Sequence, residues 1–384
     1  GGNLGASASV SDLAGNSGSG AVSGIKIDRT APETSNNAQS GWNKGPVTVN
    51  LTAKDNLSGV DATQYKLDGG SWQVGTSVTI SAEGVHTLYY ASADKAGNVE
   101  ATKSVQILID LTKPTISASA DRVANANGWY NGPVTVTFSC ADVLSGIASC
   151  ADPQTVSTSG SVTGTAVDNA GNTQSVTLNI NIDTTAPTIS FNGVADGAVY
   201  TLGQVPAASC TANDSLSGPA SCSGTLSGGT ANGVGSFTYT ATATDKAGNK
   251  TTQSITYRVI YRFDGFLQPI NDTAHQVGTS TSIFKGGSTI PAKFQLKRAD
   301  GTVVQANSLP IWEVPAKGSS TTAALNESAY SAPADSSSTY RSSGSPDNQY
   351  IYNWNTATNQ AGSYWRVGVR LDDGQTYYAN IGLR

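Results

Sequence analysis

The chain repeats one short motif at the interval of a small domain. The pentad Asp-x-Ala-Gly-Asn begins at Asp12, Asp94, Asp168 and Asp245, which gives intervals of 82, 74 and 77 residues. Recurrence at such an interval is typical of tandem structural units. A chain of this kind is expected to fold as a series of similar domains and not around one large core.

Two further motifs recur in step with the pentad. Asp-x-Leu-Ser-Gly begins at Asp55, Asp142 and Asp214. Ile-Asp-x-Thr places an aspartate just before each complete unit, at Asp28, Asp110 and Asp183. Together the motifs predict the C-terminal part of an incomplete domain (1–29), three complete domains (30–112, 113–185 and 186–258) and a terminal module (259–384).

The composition excludes several classes of partner. Charged residues make up 13% of the chain, about half the usual share for a globular protein. The net charge is −5 and no run of Lys or Arg exceeds two residues, so the sequence lacks an electrostatic footprint for nucleic acid or anionic lipid. No segment approaches the ~20 apolar residues of a membrane span. We therefore expect neither nucleic acid as a partner nor a membrane span.

The local patterns predict strands throughout. Segments such as Val-Thr-Val-Asn-Leu (47–51) and Val-Thr-Val-Thr-Phe (134–138) alternate apolar and polar residues at strand length, as in strands with one buried face. Gly or Pro interrupts nearly every candidate helix. Units of this size built from short strands fit a two-sheet sandwich of immunoglobulin type. The predicted fold is all-β, with tandem sandwiches strung like beads on a rod and a terminal β-sandwich module.

The first 28 residues contain only one Asp-x-Ala-Gly-Asn turn and the strand that leads to Asp28. Compared with the later units, most of a domain is absent there. Two interpretations stay open: the chain continues upstream, or strands from a neighbouring molecule complete the unit. The expected partners are accordingly copies of the same chain or a longer parent chain.

Four cysteines indicate an oxidising compartment. Cys140 and Cys150 flank one Asp-x-Leu-Ser-Gly loop, and Cys210 and Cys222 flank the next. The economical pairing joins Cys140 to Cys150 and Cys210 to Cys222, and each bond would stabilise its domain by roughly 2.5 to 3 kcal/mol on the chain-entropy model. Such bonds persist in secreted proteins, so the sequence predicts an extracellular or cell-surface location.

Several segments resemble bacterial immunoglobulin-like repeats of secreted and cell-surface proteins. The resemblance is carried by Thr-Ala-Pro (30–32 and 185–187), Asp-x-Leu-Ser-Gly, Tyr-Lys-Leu-Asp-Gly-Gly-Ser-Trp (65–72) and Glu-Gly-Val-His-Thr-Leu-Tyr-Tyr (83–90). From about Tyr257 the pattern changes. Ile-Pro-Ala-Lys-Phe-Gln-Leu (290–296) and Leu-Asp-Asp-Gly-Gln-Thr-Tyr (371–377) resemble small bacterial modules named for a Pro-x-Lys-Phe motif, which the resemblance places at the end of secreted multidomain chains.

The recurring aspartates are the best candidates for chemistry. In an immunoglobulin-type sandwich the loop between the second and third strands, the turn between the last two strands and the incoming chain lie at one end of the domain. Three aspartates should therefore meet at each junction. Carboxylates gathered in this way suit Ca²⁺. The resemblance to bacterial immunoglobulin-like repeats also implies calcium at the junctions between domains. The predicted metal ligands are Asp28, Asp55 and Asp94; Asp110, Asp142 and Asp168; and Asp183, Asp214 and Asp245. The alternative is that each aspartate caps a tight turn.

Aromatic residues of the terminal module provide a second candidate site. A sugar-stacking surface would need flat rings exposed together, and the candidates are Trp312, Tyr350, Tyr352 and Trp354. The competing interpretation is that most of these rings form the core.

No nucleophile, base and orienting carboxylate are recognisable together, so we expect no enzyme. The sequence predicts a non-enzymatic extracellular structural protein, either a rigid surface stalk or a filament or surface-layer subunit. The alternative is an adhesin whose terminal module binds a surface glycan or another surface ligand.

Overall fold

A computed structural model describes residues 3–270 and 281–384, except positions 326, 328 and 330. The described chain is all-β, which confirms the predicted fold class. Its only helical element among these residues is one 3₁₀ turn, Thr358–Gln360. The part of the chain that the structure describes contains no helix with the length and apolar character to cross a membrane.

The chain divides into two compact units. The first comprises Gly1–Ala124 and Gly132–Ile182, and the second comprises Asn125–Asn131 and Asp183–Arg384. The finer division into five segments stays a prediction.

The N-terminal hairpin is the simplest element. Strands β1 (Asn3–Ser11) and β2 (Ser17–Lys26) pair antiparallel across the first pentad. All residues of β2 are exposed.

The next stretch folds as two facing sheets. Its strands are β3 (Glu33–Asn36), β4 (Trp42–Asn43), β5 (Val47–Lys54), β6 (Val60–Leu67), β7 (Gln73–Val74), β8 (Ser77–Ile80), β9 (Gly84–Asp94) and β10 (Lys103–Ile109). One sheet has the order β3-β5-β8 and the other β4-β10-β9-β6-β7. Alternate residues of β5 and β9 point inward, so that Val49, Leu51, Leu88 and Tyr90 meet in a common core.

The following stretch repeats the arrangement with fewer strands. They are β11 (Thr115–Ala120), β12 (Val134–Ala141), β13 (Ile147–Cys150), β14 (Gln154–Val156), β15 (Gly160–Asp168) and β16 (Thr173–Ile180). The sheets have the orders β11-β12-β14 and β13-β15-β16. A disulfide between Cys140 and Cys150 joins β12 to β13 and so ties the two sheets together.

The third sandwich again has two sheets. Its strands are β17 (Thr188–Asn192), β18 (Val199–Thr201), β19 (Ser209–Asn213), β20 (Pro219–Gly228), β21 (Gly235–Asp245) and β22 (Lys250–Ile260). The orders are β17-β19 and β18-β22-β21-β20. Cys210 of β19 and Cys222 of β20 are disulfide-bonded. Both bonds therefore join the partners that the sequence predicts.

The described residues of the terminal module form three small sheets. Its strands are β23 (Arg262–Phe263), β24 (Ile283–Phe284), β25 (Thr289–Phe294), β26 (Leu296–Lys297), β27 (Val303–Val304), β28 (Ile311–Ser320), β29 (Arg341–Ser342), β30 (Tyr350–Asn355), β31 (Ser363–Arg370) and β32 (Thr376–Leu383). The sheets have the orders β23-β26-β27, β25-β30-β29 and β24-β32-β31-β28. The Pro-x-Lys-Phe segment forms β25, where Ile290, Ala292 and Phe294 are buried.

Candidate functional site

Three groups of aspartates form the candidate site, and the structure brings together the same residues that the sequence groups. In each group, one carboxylate oxygen from each of the three residues lies within 4.8 Å of the others. We call these groups triad 1 (Asp28, Asp55 and Asp94), triad 2 (Asp110, Asp142 and Asp168) and triad 3 (Asp183, Asp214 and Asp245).

The fold positions each member of a triad through a different element. In triad 2, Asp110 follows the end of β10, Asp142 lies in the loop between β12 and β13, and Asp168 ends β15. The loop aspartate accepts hydrogen bonds at Oδ1 from the backbone N–H groups of Leu144, at 3.2 Å, and Gly146, at 2.8 Å. Gly146 has φ +79°, a conformation that favours glycine. The Leu-Ser-Gly motif therefore fixes where this carboxylate lies.

The aspartate of each Ile-Asp-x-Thr motif binds the Leu-Ser-Gly loop of the unit that follows it. In triad 1, Asp28 Oδ2 accepts a hydrogen bond of 2.8 Å from the backbone N–H of Ser58. The same bond recurs from Ser145 to Asp110 and from Ser217 to Asp183, at 3.0 Å in both cases. The carboxylate thus ties the incoming chain to the Leu-Ser-Gly loop at all three places.

The pentad asparagines act through their amide nitrogens. The side-chain amide of Asn172 donates to Asp168 Oδ2 at 2.8 Å and to the backbone carbonyl of Asp110 at 2.9 Å. Asn98 and Asn249 make the equivalent bonds. Their role in the structure is to cap the turn and to hold the incoming chain.

Triad 1 contains a buried carboxylate oxygen that no other described residue pairs with. Asp55 Oδ2 accepts hydrogen bonds from the backbone N–H groups of Leu57 and Gly59, at 2.9 and 2.7 Å. Asp55 Oδ1 is buried and has no hydrogen-bond partner among the described residues. Buried polar atoms are seldom left unpaired unless a water or an ion serves them.

Hydrogen bonds keep several of these carboxyl groups ionised. At Asp28 the backbone N–H of Thr30 is the main cause of a pKa lowered from the ordinary value of 3.8. At Asp94, Asp110 and Asp183, burial by itself raises the pKa, but hydrogen bonds from neighbouring side chains and backbone N–H groups outweigh it and lower the pKa overall. Each triad therefore gathers negative charge at neutral pH.

The first pentad provides an internal comparison. Asp12 Oδ1 accepts hydrogen bonds from the backbone N–H groups of Ala14 and Asn16, at 3.0 and 2.9 Å, as in the other pentads. Asp12 belongs to none of the three acidic groups found in the described residues. The turn therefore forms without neighbouring carboxylates, and the gathering of three carboxylates is a separate property of the junctions.

A glutamate outside the repeated motifs binds the linker that follows Asp110 of triad 2. Glu83, at the turn before β9, accepts hydrogen bonds at Oε1 from the backbone N–H groups of Leu111 and Thr112, both at 3.0 Å. In the next sandwich the equivalent position, just before β15, is occupied by Ser159 and not by a glutamate. Because Glu83 belongs to no repeated motif, sequence reasoning did not find it.

The four aromatic candidates of the terminal module lie in its core. Trp312 is 8% exposed, Tyr350 1%, Tyr352 7% and Trp354 9%. The rings of Trp312 and Tyr352 stack on each other with centroids 4.2 Å apart. Because other rings cover these faces, the four residues do not form an exposed stacking surface, which corrects that expectation.

No protein-family model matches the chain, and no curated protein sequence matches it. Among solved structures, it is similar to a protocadherin gammaB7 EC3-6 cis-dimer (13% identity, TM-score 0.30, covering 92% of this chain and 100% of that chain). It is also similar to an ICAM-5 D1-D4 ectodomain fragment (11% identity, TM-score 0.30, covering 91% of this chain and 98% of that chain). A third similar structure is the sialic acid binding region of a Streptococcus sanguinis SK1 adhesin (13% identity, TM-score 0.22, covering 72% of this chain and 98% of that chain). Similarity at this level assigns neither a family nor a function.

Proposed function

We propose that this chain is a non-enzymatic extracellular structural protein in which Ca²⁺ at the three aspartate triads stiffens the linkers before successive β-sandwiches. The observation that carries the proposal is the threefold recurrence of one carboxylate cluster in the same local frame. The two disulfides support an extracellular location, because such bonds persist in oxidising compartments.

The ligand chemistry favours a hard cation. All three ligands of each triad are carboxylate oxygens, which suit Ca²⁺ or Mg²⁺ better than zinc. Two oxygens bound to one Ca²⁺ at about 2.3–2.6 Å can lie up to roughly 5 Å apart, so separations within 4.8 Å are compatible with calcium. Mg²⁺ requires shorter bonds of about 2.0–2.1 Å in a near-ideal octahedron and usually keeps several of its waters, whereas Ca²⁺ accepts six to eight oxygen ligands in flexible geometry. Ca²⁺ is therefore the cation that we propose.

The turn hydrogen bonds leave room for an ion. A carboxylate offers about four lone-pair sites. In triad 1, Asp28 and Asp55 each accept two hydrogen bonds and Asp94 accepts three. Turn capping and cation binding are therefore compatible, and Asp55 Oδ1 is an oxygen that capping does not use. A bound cation would neutralise the gathered charge and fix the incoming chain against two loops of the next sandwich.

The proposal is tested by counting bound ions. We expect isothermal titration with Ca²⁺, supported by Tb³⁺ luminescence, to give three sites per chain. Asp55→Asn keeps the shape and the acceptor oxygen of the turn but removes charge, so we expect two sites. Asp12→Asn is the control, because Asp12 also accepts hydrogen bonds from the backbone N–H groups two and four residues later, as Asp55 does, but belongs to no triad. This variant should retain three sites. An unchanged stoichiometry in Asp55→Asn, or no binding at millimolar Ca²⁺, would contradict the proposal.

A stalk and a filament subunit both require stiff linkers, so the triads support both forms of the proposal. Electron microscopy of the same Ca²⁺-loaded protein distinguishes them, because a stalk gives single molecules and a filament subunit gives polymers that repeat the chain.

A further inference from the structure

The junction before the terminal module lacks the triad residues. At the first three junctions an isoleucine is followed by aspartate, whereas Ile260 is followed by Tyr261. Tyr261 is 1% exposed. The first carboxylate of a triad is therefore replaced here by a buried aromatic ring.

The turn aspartate is replaced as well. Leu371 N donates to Gln375 O at 2.9 Å and Gly374 N donates to Leu371 O at 3.1 Å. The turn from Asp94 to Asn98 has the same two backbone bonds, and its Gly97 has φ +86° where Gly374 has +82°. The turn between β31 and β32 is thus a pentad turn in which leucine stands where the other domains have aspartate.

Apolar packing is continuous across this junction. Tyr257 and Val259 of β22, Tyr261 itself and Leu371 of the terminal module belong to one cluster of buried hydrophobic residues. Burial of apolar surface does not depend on an ion. Packing of this kind does not itself require a cation.

Arg258 supplies a fixed positive charge at the same place. Its Nη2 donates to the backbone carbonyl of Asp373 at 2.8 Å. The buried carboxylate of Asp373 accepts hydrogen bonds from the backbone N–H of Tyr261 at 2.9 Å and from that of Gln375 at 2.8 Å. The bond from the Arg258 guanidinium and the bond from the Tyr261 backbone N–H to the Asp373 carboxylate therefore clamp the turn to the end of β22.

Two other loops fasten the module. Asn232 Nδ2 donates to the backbone carbonyl of Gln305 at 2.6 Å. The backbone N–H of Ala299 donates to the carbonyl of Leu202 at 2.9 Å. With the clamp at Arg258, the terminal module is held at three separate points of its neighbour.

We propose that the terminal module is joined to the preceding sandwich by a permanent, cation-independent joint, so that residues 186–384 behave as one cooperative unit while the other linkers depend on Ca²⁺. The Ca²⁺ dependence of the other linkers rests on the proposed function, whereas the joint at the terminal module does not. A structural protein of this design would keep its terminal module fixed when Ca²⁺ is removed.

The test is hydrogen–deuterium exchange of the full chain in Ca²⁺ and in EDTA. We expect peptides around Asp28, Asp110 and Asp183 to exchange at least tenfold faster in EDTA, and peptides covering 258–264 and 371–375 to be unchanged. If those two peptides accelerate as the others do, the joint is overturned. If no peptide responds to EDTA, the calcium proposal fails, and the joint is then judged by whether Tyr261 exchanges as slowly as the buried strands on both sides of it. Faster exchange at Tyr261 than in both β22 and β32 would overturn the joint.

Arg258→Gln tests the clamp separately. We expect exchange at 371–375 to rise about tenfold, which is the loss of one charge-assisted hydrogen bond, with the linker at Asp110 unaffected. Lys250→Gln, on the exposed end of the same strand, is the matched control and should change neither. If Arg258→Gln leaves 371–375 as protected as the control does, Arg258 does not clamp the turn and the joint as proposed is wrong.

Discussion

At the scale of single residues, His86 is placed to respond to pH. Its Nδ1 lies 2.9 Å from Asp68 Oδ2 and its Nε2 lies 3.0 Å from the backbone carbonyl of Ala82. Both ring nitrogens face acceptors, and only the imidazolium can donate from both. The hydrogen bond to Asp68 accordingly raises the pKa of His86 from 6.5, against a smaller opposing effect of burial.

This pair predicts a pH dependence with a definite sign. Because the pKa of His86 is higher in the folded state, its contribution to stability is fully present below pH 6.5 and is lost as the pH rises through the raised value. We expect the peptides of β6 and β9 to be better protected from exchange at pH 5.5 than at pH 8.5, after correction for intrinsic rates. His86→Gln should remove that difference, whereas the other histidine, His275, remains in both proteins. An equal pH effect in the variant would contradict this role.

The sequence predicted that the aspartates gather in threes but did not predict that the aromatic residues are buried, and the difference has a physical reason. The position of Asp142 depends on local motifs, a turn and a strand end, and these recur with the sequence. Whether Trp312 faces solvent depends on which distant strands cover it, here β30, which carries Tyr352. Local patterns do not encode that partner.

At the scale of strands, the first complete sandwich has a substitute for a disulfide. Thr63 lies eight residues after Asp55, as Cys150 lies eight after Asp142. Thr63 Oγ1 is 2.8 Å from Ser92 Oγ, which is 2.7 Å from Thr34 Oγ1. Thr34 belongs to the facing sheet, so a chain of buried hydroxyl groups links the two sheets. Alternation alone predicts exposed hydroxyl groups, so the sequence did not reveal this link.

Ser92→Ala is expected to weaken this sandwich. The substitution removes the central hydroxyl and leaves the buried Thr63 hydroxyl without its partner, whereas Thr34 keeps its bond to the Glu100 carboxylate. We expect a loss of about 1–3 kcal/mol. Hydrogen exchange of β5 and β9 measures it, since the amides of this core should exchange at least several-fold faster. Thr48→Ala, which breaks the exposed Thr48–Thr79 pair of 2.9 Å, serves as the control and should cost little. Equal effects of the two variants would show that the buried chain adds no stability.

At the scale of the whole molecule, the motif spacing predicted tandem units but not the joint that we propose between residues 186–258 and the terminal module. The repeats mark each unit because every unit carries its own turn chemistry. The joint between residues 186–258 and the terminal module depends on pairs such as Leu202 with Ala299 and Asn232 with Gln305. Neither partner of these pairs belongs to a repeated motif, and such contacts become evident only in three dimensions.

Acid should act on all three triads together. Because the pKa values of Asp28, Asp94, Asp110 and Asp183 are lowered in the folded state, the stability that these groups contribute is present above pH 3.8 and is lost as the pH falls through the lowered values. Protons also compete with a bound cation for the same oxygens. At pH 7, Ca²⁺ at 100 times its dissociation constant should stabilise the folded chain by roughly 2.7 kcal/mol per site, and this increment should be lost as the pH falls below 3.8 and through the lowered pKa values of these carboxyl groups. Thermal unfolding between about pH 2 and pH 7, in Ca²⁺ and in EDTA, measures both effects. A Ca²⁺ increment that stays unchanged over the whole of this range would place the ion on groups other than these carboxylates.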